Sequence, residues 1–183
     1  MLPVRERRSR ASEGSTCSGP SGDAPEAKVE RDGIAVDGMA DMGSYRYLED
    51  IALADCAIDL IGSDLGDVFE TAARALTDAM VDSSTMELTV TRHVALEAVT
   101  LDLLLFDWLS EHICQKDERS EVFVRIQAVV SGKGPFRLNA QLQGGRIVPG
   151  RTTRRADPKG IALHMFLLEP CPGGWHARFV IDL

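Results

Sequence analysis

Hydrophobic and polar positions change period along this chain, and each change marks an element. Between Tyr47 and Ile61, Cys56, Ile58 and Leu60 alternate with Asp55, Ala57 and Asp59, the period-2 pattern of a half-buried strand. Gly62 breaks the alternation, Ser63 and Asp64 supply capping oxygens, and Leu65, Val68, Phe69, Ala72, Ala73, Leu76 and Met80 then recur at helical spacing. After the turn-like Asp82-Ser83-Ser84, the stretch Met86 to Ala98 interleaves Leu88, Val90, Val94 and Leu96 with polar residues. It predicts a strand with an interruption near Arg92 and His93. Thr100 is placed to cap a second helix whose stripe is Leu101, Leu104, Leu105, Trp108, Leu109, His112 and Ile113, and which closes in the polar run Gln115 to Arg119.

From Val122 onward the period is that of strands. Val122 to Val130 is apolar and β-branched, SGKGP reads as a turn, and FRLNAQLQ alternates Phe136, Leu138, Ala140 and Leu142 against Arg137, Asn139, Gln141 and Gln143. Gly144-Gly145 reads as a second turn, leading to a loop from Pro149 to Pro158 that carries Arg151, Arg154 and Arg155. Ile161 to Leu168 and Trp175 to Leu183 form a hairpin across Pro170-Cys171-Pro172-Gly173-Gly174. Together these elements predict an α+β fold of two layers, a mostly antiparallel or mixed sheet covered on one face by two helices.

Composition adds boundaries to this pattern. Residues 1 to 44 are rich in Arg, Ser, Gly, Pro, Asp and Glu and lack a sustained period, so they are expected to be a disordered extension before a domain at 45–183. The balance of 28 Asp+Glu against 20 Lys+Arg leaves a net charge of -8, which argues against general nucleic-acid binding through phosphate neutralisation. Cys17, Cys56, Cys114 and Cys171 show no metal-knuckle or redox-pair spacing, and free thiols of a reducing cytoplasm are expected. No apolar run is long enough to span a bilayer.

Some chemistries are unsupported. GSDLG and QGGR are glycine turns without the spacing of a phosphate-binding loop, and no nucleophile-elbow G-x-S-x-G accompanies the Ser, His and Asp residues. His112 lies on the apolar stripe of its helix with no second ligand one turn away, so a packed, hydrogen-bonded histidine is expected rather than a metal ligand. Asp55 and Asp182, by contrast, both fall on the polar faces of strands at opposite ends of the domain. Whether those ends meet is the functional question.

With the elements placed, the chain from 45 to 183 resembles the archease family, small proteins that activate the RtcB-type RNA-splicing ligase. The residues that carry the resemblance are the opening Tyr45, Tyr47 and Leu48, the pair Ala54-Asp55, the helices LGDVFETAARALTDAM and LLLFDWLSE, the segment KGIALH from Lys159 to His164, and the ending VIDL. The resemblance implies a hard-metal site at Asp55, Asp182 and the terminal Leu183, whose oxygen-only donors suit Ca²⁺ or Mg²⁺ rather than zinc. It also implies a non-catalytic activator whose partner is the ligase, with Lys159 and His164 as candidate contacts.

The chain departs from the family in two places. Ala52-Leu53 stands where the family has His-Thr before Ala-Asp, with Asp50 two residues earlier as a substitute carboxylate, and Ala162-Leu163 replaces Thr-Tyr ahead of His164. These departures motivate an alternative reading, a binding or chaperone-like adaptor on the archease scaffold without ligase work. A metal-dependent hydrolase is weaker still, because two carboxylates without a placed base or nucleophile do not make a reaction site.

Overall fold

A computed structural model describes residues 43–48 and 55–183, with Asp55 defined by its backbone alone. The expected disorder of 1–44 falls almost wholly outside the described residues, as do Cys17, Asp50, Ala52 and Leu53. The described chain runs β1 (Ser44–Leu48), β2 (Asp55–Gly62), α1 (Leu65–Met80), β3 (Val90–Ala98), α2 (Leu101–Arg119), β4 (Glu121–Ser131), β5 (Phe136–Arg146), β6 (Gly160–Cys171) and β7 (Gly174–Asp182). One 3-10 turn, Ser83–Thr85, precedes β3. The fold is α+β, and every strand pairing among the described residues is antiparallel.

Two sheets, rather than one, hold these strands, in the orders β1-β2-β7-β6 and β3-β5-β4. Each helix packs against strands of both sheets, so the helices do more than cover one face. The expected single strand from Tyr47 to Ile61 is instead a pair, with Tyr47 opposite Ile58 and Leu48 opposite Ala57. Alternation alone does not reveal this, because two strands folded back on each other keep the same period.

Helix α1 begins where its capping residues stand. Asp64 Oδ1 accepts from Asp67 N at 2.9 Å, and the expected stripe of Val68, Phe69, Ala72, Ala73 and Leu76 is wholly buried. Its C-terminal turn lacks a basic residue of its own, and the basic loop after β5 supplies one. Arg155 N and Ala156 N donate to Met80 O and Ala79 O, while Arg155 Nη1 donates to Asp78 O at 3.0 Å. The loop thereby satisfies carbonyls that a helix end leaves open and adds a cation at the negative end of its dipole. Arg154 likewise bridges to Val81.

Helix α2 extends through the polar run to Arg119, and its buried face continues from His112 and Ile113 to Lys116. Thr100 is its N-terminal flank but makes no capping bond through its side chain. His112 is packed as expected, 4.4 Å between ring centroids from Trp108 in an edge-on contact. The expected hydrogen bond fails at Nε2, which is buried without a partner, and burial lowers the ring's pKa from 6.5 to about 4. Trp108 is also fully buried, and its indole N–H finds Phe69 O at 2.9 Å. Burying such an aromatic side chain contributes roughly 1.5–3 kcal/mol.

The second sheet departs from expectation at both ends. Strand β3 starts at Val90 and runs through Arg92 and His93 without interruption. Gly144-Gly145 is not a turn but the interior of β5, opposite Phe123 and Val122 on one side and, at Gly144, Val90 on the other. A Cβ on Gly144 would lie 1.9 Å from Val122 O, and one on Gly145 2.1 Å from Glu87 O, so these glycines admit close backbone rather than a reversal. The outer edge of β4 is closed by α1: Thr77 Oγ1 donates to Phe123 O at 2.8 Å and Glu70 accepts from Ala128 N.

Candidate functional site

The antiparallel pairing of β2 with β7 brings the beginning of one to the end of the other. Its register sets Asp55 directly opposite Asp182. On the other flank of β7, Gly160 is the register partner of the same Asp182. Opposed positions of an antiparallel ladder share a sheet face, so the first residue of β2 and the last of β7 lie on one face at one end of the sheet. Asp182 is exposed, and its main-chain oxygen accepts from Lys159 N at 2.8 Å. Gly160 crowds the site little, since a Cβ there would sit 3.5 Å from Asp182 Oδ2. Leu183 follows, half exposed at 51 %.

Of the residues singled out by sequence, Asp55, Asp182, Leu183 and Lys159 thus meet at one sheet end. His164 does not join them in the ladder. It lies in a bulge of β6 between Ala162, opposite Val180, and Leu167, opposite Arg178, where Met165 adopts a left-handed φ of 60° and Leu163 is exposed. Asp50 lies outside the described residues.

Charge around this end is organised by a residue that sequence reasoning missed. Asp157 bonds Lys116 Nζ at 2.6 Å through Oδ1 and Lys159 Nζ through Oδ2. Hydrogen bonds from Lys116 and then Lys159 lower its pKa to about 2, so it stays ionised. Lys116, almost fully buried, is also 2.6 Å from Asp117. The available signal was periodicity: Lys116 continues the stripe of α2 at the spacing of His112 and Ile113. Asp157 carried none, since it sat in a loop notable only for its arginines.

A second aspartate on β2 is already engaged. Asp59, four residues along and on the same face, accepts from His176 Nε2 at 2.7 Å and Arg178 Nε at 2.9 Å, with Arg46 Nη2 at 3.2 Å. Burial opposes its charge, yet the bonds from His176 and Arg178 outweigh burial and lower its pKa. Asp59 is therefore committed to a cross-strand ion cluster within the sheet. Among the described residues Asp182 enters no ion pair of that kind.

Among the described residues no group of three or more His, Cys, Asp or Glu is arranged to hold a metal. The Asp182 carboxylate at this sheet end offers oxygen donors, the type that hard cations take, rather than the nitrogen and sulfur that zinc prefers. Cys56, Cys114 and Cys171 are free thiols. Among the described residues no helix is long and apolar enough to cross a membrane.

The model of the Archease protein family matches residues 45–183, from the first strand to the final residue. The chain belongs to the archease family. Similar archeases include those of Archaeoglobus fulgidus, 30% identical over 139 residues that make up 76% of this chain and 98% of the relative, and of Thermococcus kodakarensis, 33% identical over 135 residues, 71% and 93% respectively. The solution structure of Methanobacterium thermoautotrophicum protein 1598 is similar with a TM-score of 0.66 and 28% identity, covering 76% of this chain and 98% of that one. A Thermotoga maritima crystal structure described as an archease and possible chaperone shares the fold at a TM-score of 0.54 and 16% identity, covering 72% of this chain and 93% of that one. The archease fold is thus shared by the described domain.

Proposed function

We propose that this archease-family chain is a non-catalytic protein cofactor that activates an RtcB-type RNA ligase, promoting its guanylylation and turnover in tRNA splicing or RNA repair in the cytoplasm. The observation that carries the reading is the register opposition of Asp55 and Asp182, beside Lys159. Asp55, Asp182 and the Leu183 terminus would hold a Ca²⁺ or Mg²⁺ ion, which supplies a fixed positive charge among oxygen donors. Lys159, His164 and Asp50 are the proposed ligase contacts. An activator of this kind acts only by binding the productive arrangement of its partner better than the resting one. The direct test is guanylylation of a purified ligase with the parent chain and with Asp55→Ala and Asp182→Ala. The expected result is folded variants that no longer accelerate the step; acceleration equal to the parent overturns the reading.

Ala52-Leu53, in place of the family's His-Thr, favours a second reading in which the scaffold serves as a binding or chaperone-like adaptor without ligase work. The Thermotoga maritima relative is itself described as a possible chaperone. Absence of an RtcB-type ligase gene from the source genome would select this second reading, and its presence beside this gene would select the first.

A further inference from the structure

A concave site lies beside the β3-β5-β4 sheet, formed by residues that the ladder end of β2 and β7 does not use. A cleft of about 470 Å³ opens between the segment Thr85 to Arg92, the start of β4 and the loop that follows β5. That volume lies within the roughly 300–1,000 Å³ of small-ligand sites. Three arginines line it, Arg92, Arg146 and Arg151, with the hydroxyl-bearing Thr89 and Thr91.

The arginines are not equivalent. Arg92 is held by a two-point pair with Glu121, Nε to Oε2 at 3.0 Å and Nη2 to Oε1 at 2.9 Å, and Glu121 is only 1% exposed. Such a pair fixes the guanidinium plane while leaving Nη1 outside the pair. Arg146 and Arg151 are only loosely engaged, 3.7 Å from Glu121 and Glu87 respectively, with side chains 69% and 74% exposed. Three cations against these two carboxylates leave the cleft with one excess positive charge, in a chain whose net charge is -8. The loop carrying Arg151 also explains why the arginines divide: Arg154 and Arg155 are spent on Asp157 and the end of α1, whereas Arg151 turns to the cleft.

We propose that this cleft is a binding site for a compact phosphate-bearing ligand of nucleotide size, with Arg92 as the oriented anchor and Arg146 and Arg151 as the closing cations. The planar fork of arginine matches phosphate oxygens in pairs, and threonine hydroxyls add neutral donors. The strongly negative chain disfavours a long polyanion while the local excess charge favours a small one. This inference is independent of the ligase reading, because it uses none of Asp55, Asp182 or Lys159.

Calorimetric titration of the full chain at low ionic strength tests it, using inorganic pyrophosphate, ADP, adenosine and a single-stranded oligonucleotide without terminal phosphates. The variant is Arg146→Gln/Arg151→Gln, which spares the two-point pair of Arg92 with the buried Glu121. The expected result is saturable 1:1 binding of pyrophosphate and ADP, no binding of adenosine, and at least a tenfold loss of affinity in the variant with an unchanged melting transition. Equal affinity for pyrophosphate and ADP assigns recognition to the diphosphate alone, and tighter ADP adds a nucleoside contact; both support the site. No saturable binding, affinity unchanged in the variant, adenosine binding as well as ADP, or the oligonucleotide binding more tightly than pyrophosphate overturns it.

Discussion

Lys116 Nζ lies 2.6 Å from Asp157 Oδ1, tying the last turns of α2 to the segment that enters β6 beside the Asp55–Asp182 ladder end. The lysine side chain is 4% exposed and the aspartate 45%, so the charge that most needs a partner is the lysine's. Asp157→Asn leaves Asp117 as a second partner and is expected to cost about 1.5–2 kcal/mol, the lower part of the range for a hydrogen bond to a charged group. The folded-state pKa of Asp157 is depressed to about 2, so its contribution is present above its unfolded value near 4 and is lost as pH falls from there toward 2. Urea denaturation of parent and variant should show a stability gap at neutral pH that narrows across that window. A gap constant down to pH 2 would mean that the Asp157 charge contributes nothing.

His112 makes a pH dependence in a different window. Its folded pKa of about 4 lies below the unfolded value of about 6.5, so the fold prefers the neutral ring. Stability from this residue is complete above pH 6.5 and is lost as pH falls toward 4, by about 3 kcal/mol in total. His112→Leu removes the titration while keeping an apolar side chain on Trp108 and Phe123. Chemical denaturation at intervals from pH 7 to 4 should give a steeper decline for the parent than for the variant; parallel curves would show that the ring is not buried as neutral imidazole.

Gly144→Ala is expected to cost about 3 kcal/mol or more, or to prevent folding, since its methyl group would meet Val122 O at 1.9 Å. Gly150→Ala is the control. No atom lies within 4 Å of its added Cβ, and only the positive φ of 80° penalises it, by about 1 kcal/mol. Comparable melting temperatures for the two variants would contradict the close approach of β5 to β4.

Metal association is tested by thermal melting with added Ca²⁺ or Mg²⁺. If the ladder end holds a cation, saturating metal at about 100 times its dissociation constant stabilises the parent by about 2.7 kcal/mol. Asp182→Asn is expected to lose that shift and to keep the metal-free melting temperature, since Asp182 is exposed and among the described residues enters no ion pair like that of Asp59. Equal metal-induced shifts in both proteins would move the cation elsewhere.

Much of the fold is legible in local pattern. Helix α1, its Asp64 cap and its buried stripe follow from spacing alone, as does the β6–β7 hairpin with its Pro172-Gly173 turn. The errors share one cause. Gly144-Gly145 looks like a reversal because glycine serves two purposes, positive φ and close approach, and only the neighbouring backbone at Val122 and Glu87 tells them apart. Lys116 reads as a polar helix end because the carboxylate that makes its burial tolerable lies 41 residues away in a loop. The division into two sheets was likewise invisible, since period 2 records which face a residue takes and not which strand lies beside it.

Residue order along the chain is enough for the alternation that put Asp55 and Asp182 on polar faces, for the helix that follows β2, and, through resemblance, for the archease family. Those properties are local or cumulative along the chain, and no distant contact alters them. It took the folded chain to make Asp55 and Asp182 register partners, to bind Lys159 to Asp157 beside them, and to gather three arginines in one cleft with the buried Glu121. Apart from the Lys159–Asp157 bond, these juxtapose residues far apart in the chain, set by strand register and by where each buried charge finds its counter-charge. Spacing along a chain encodes neither.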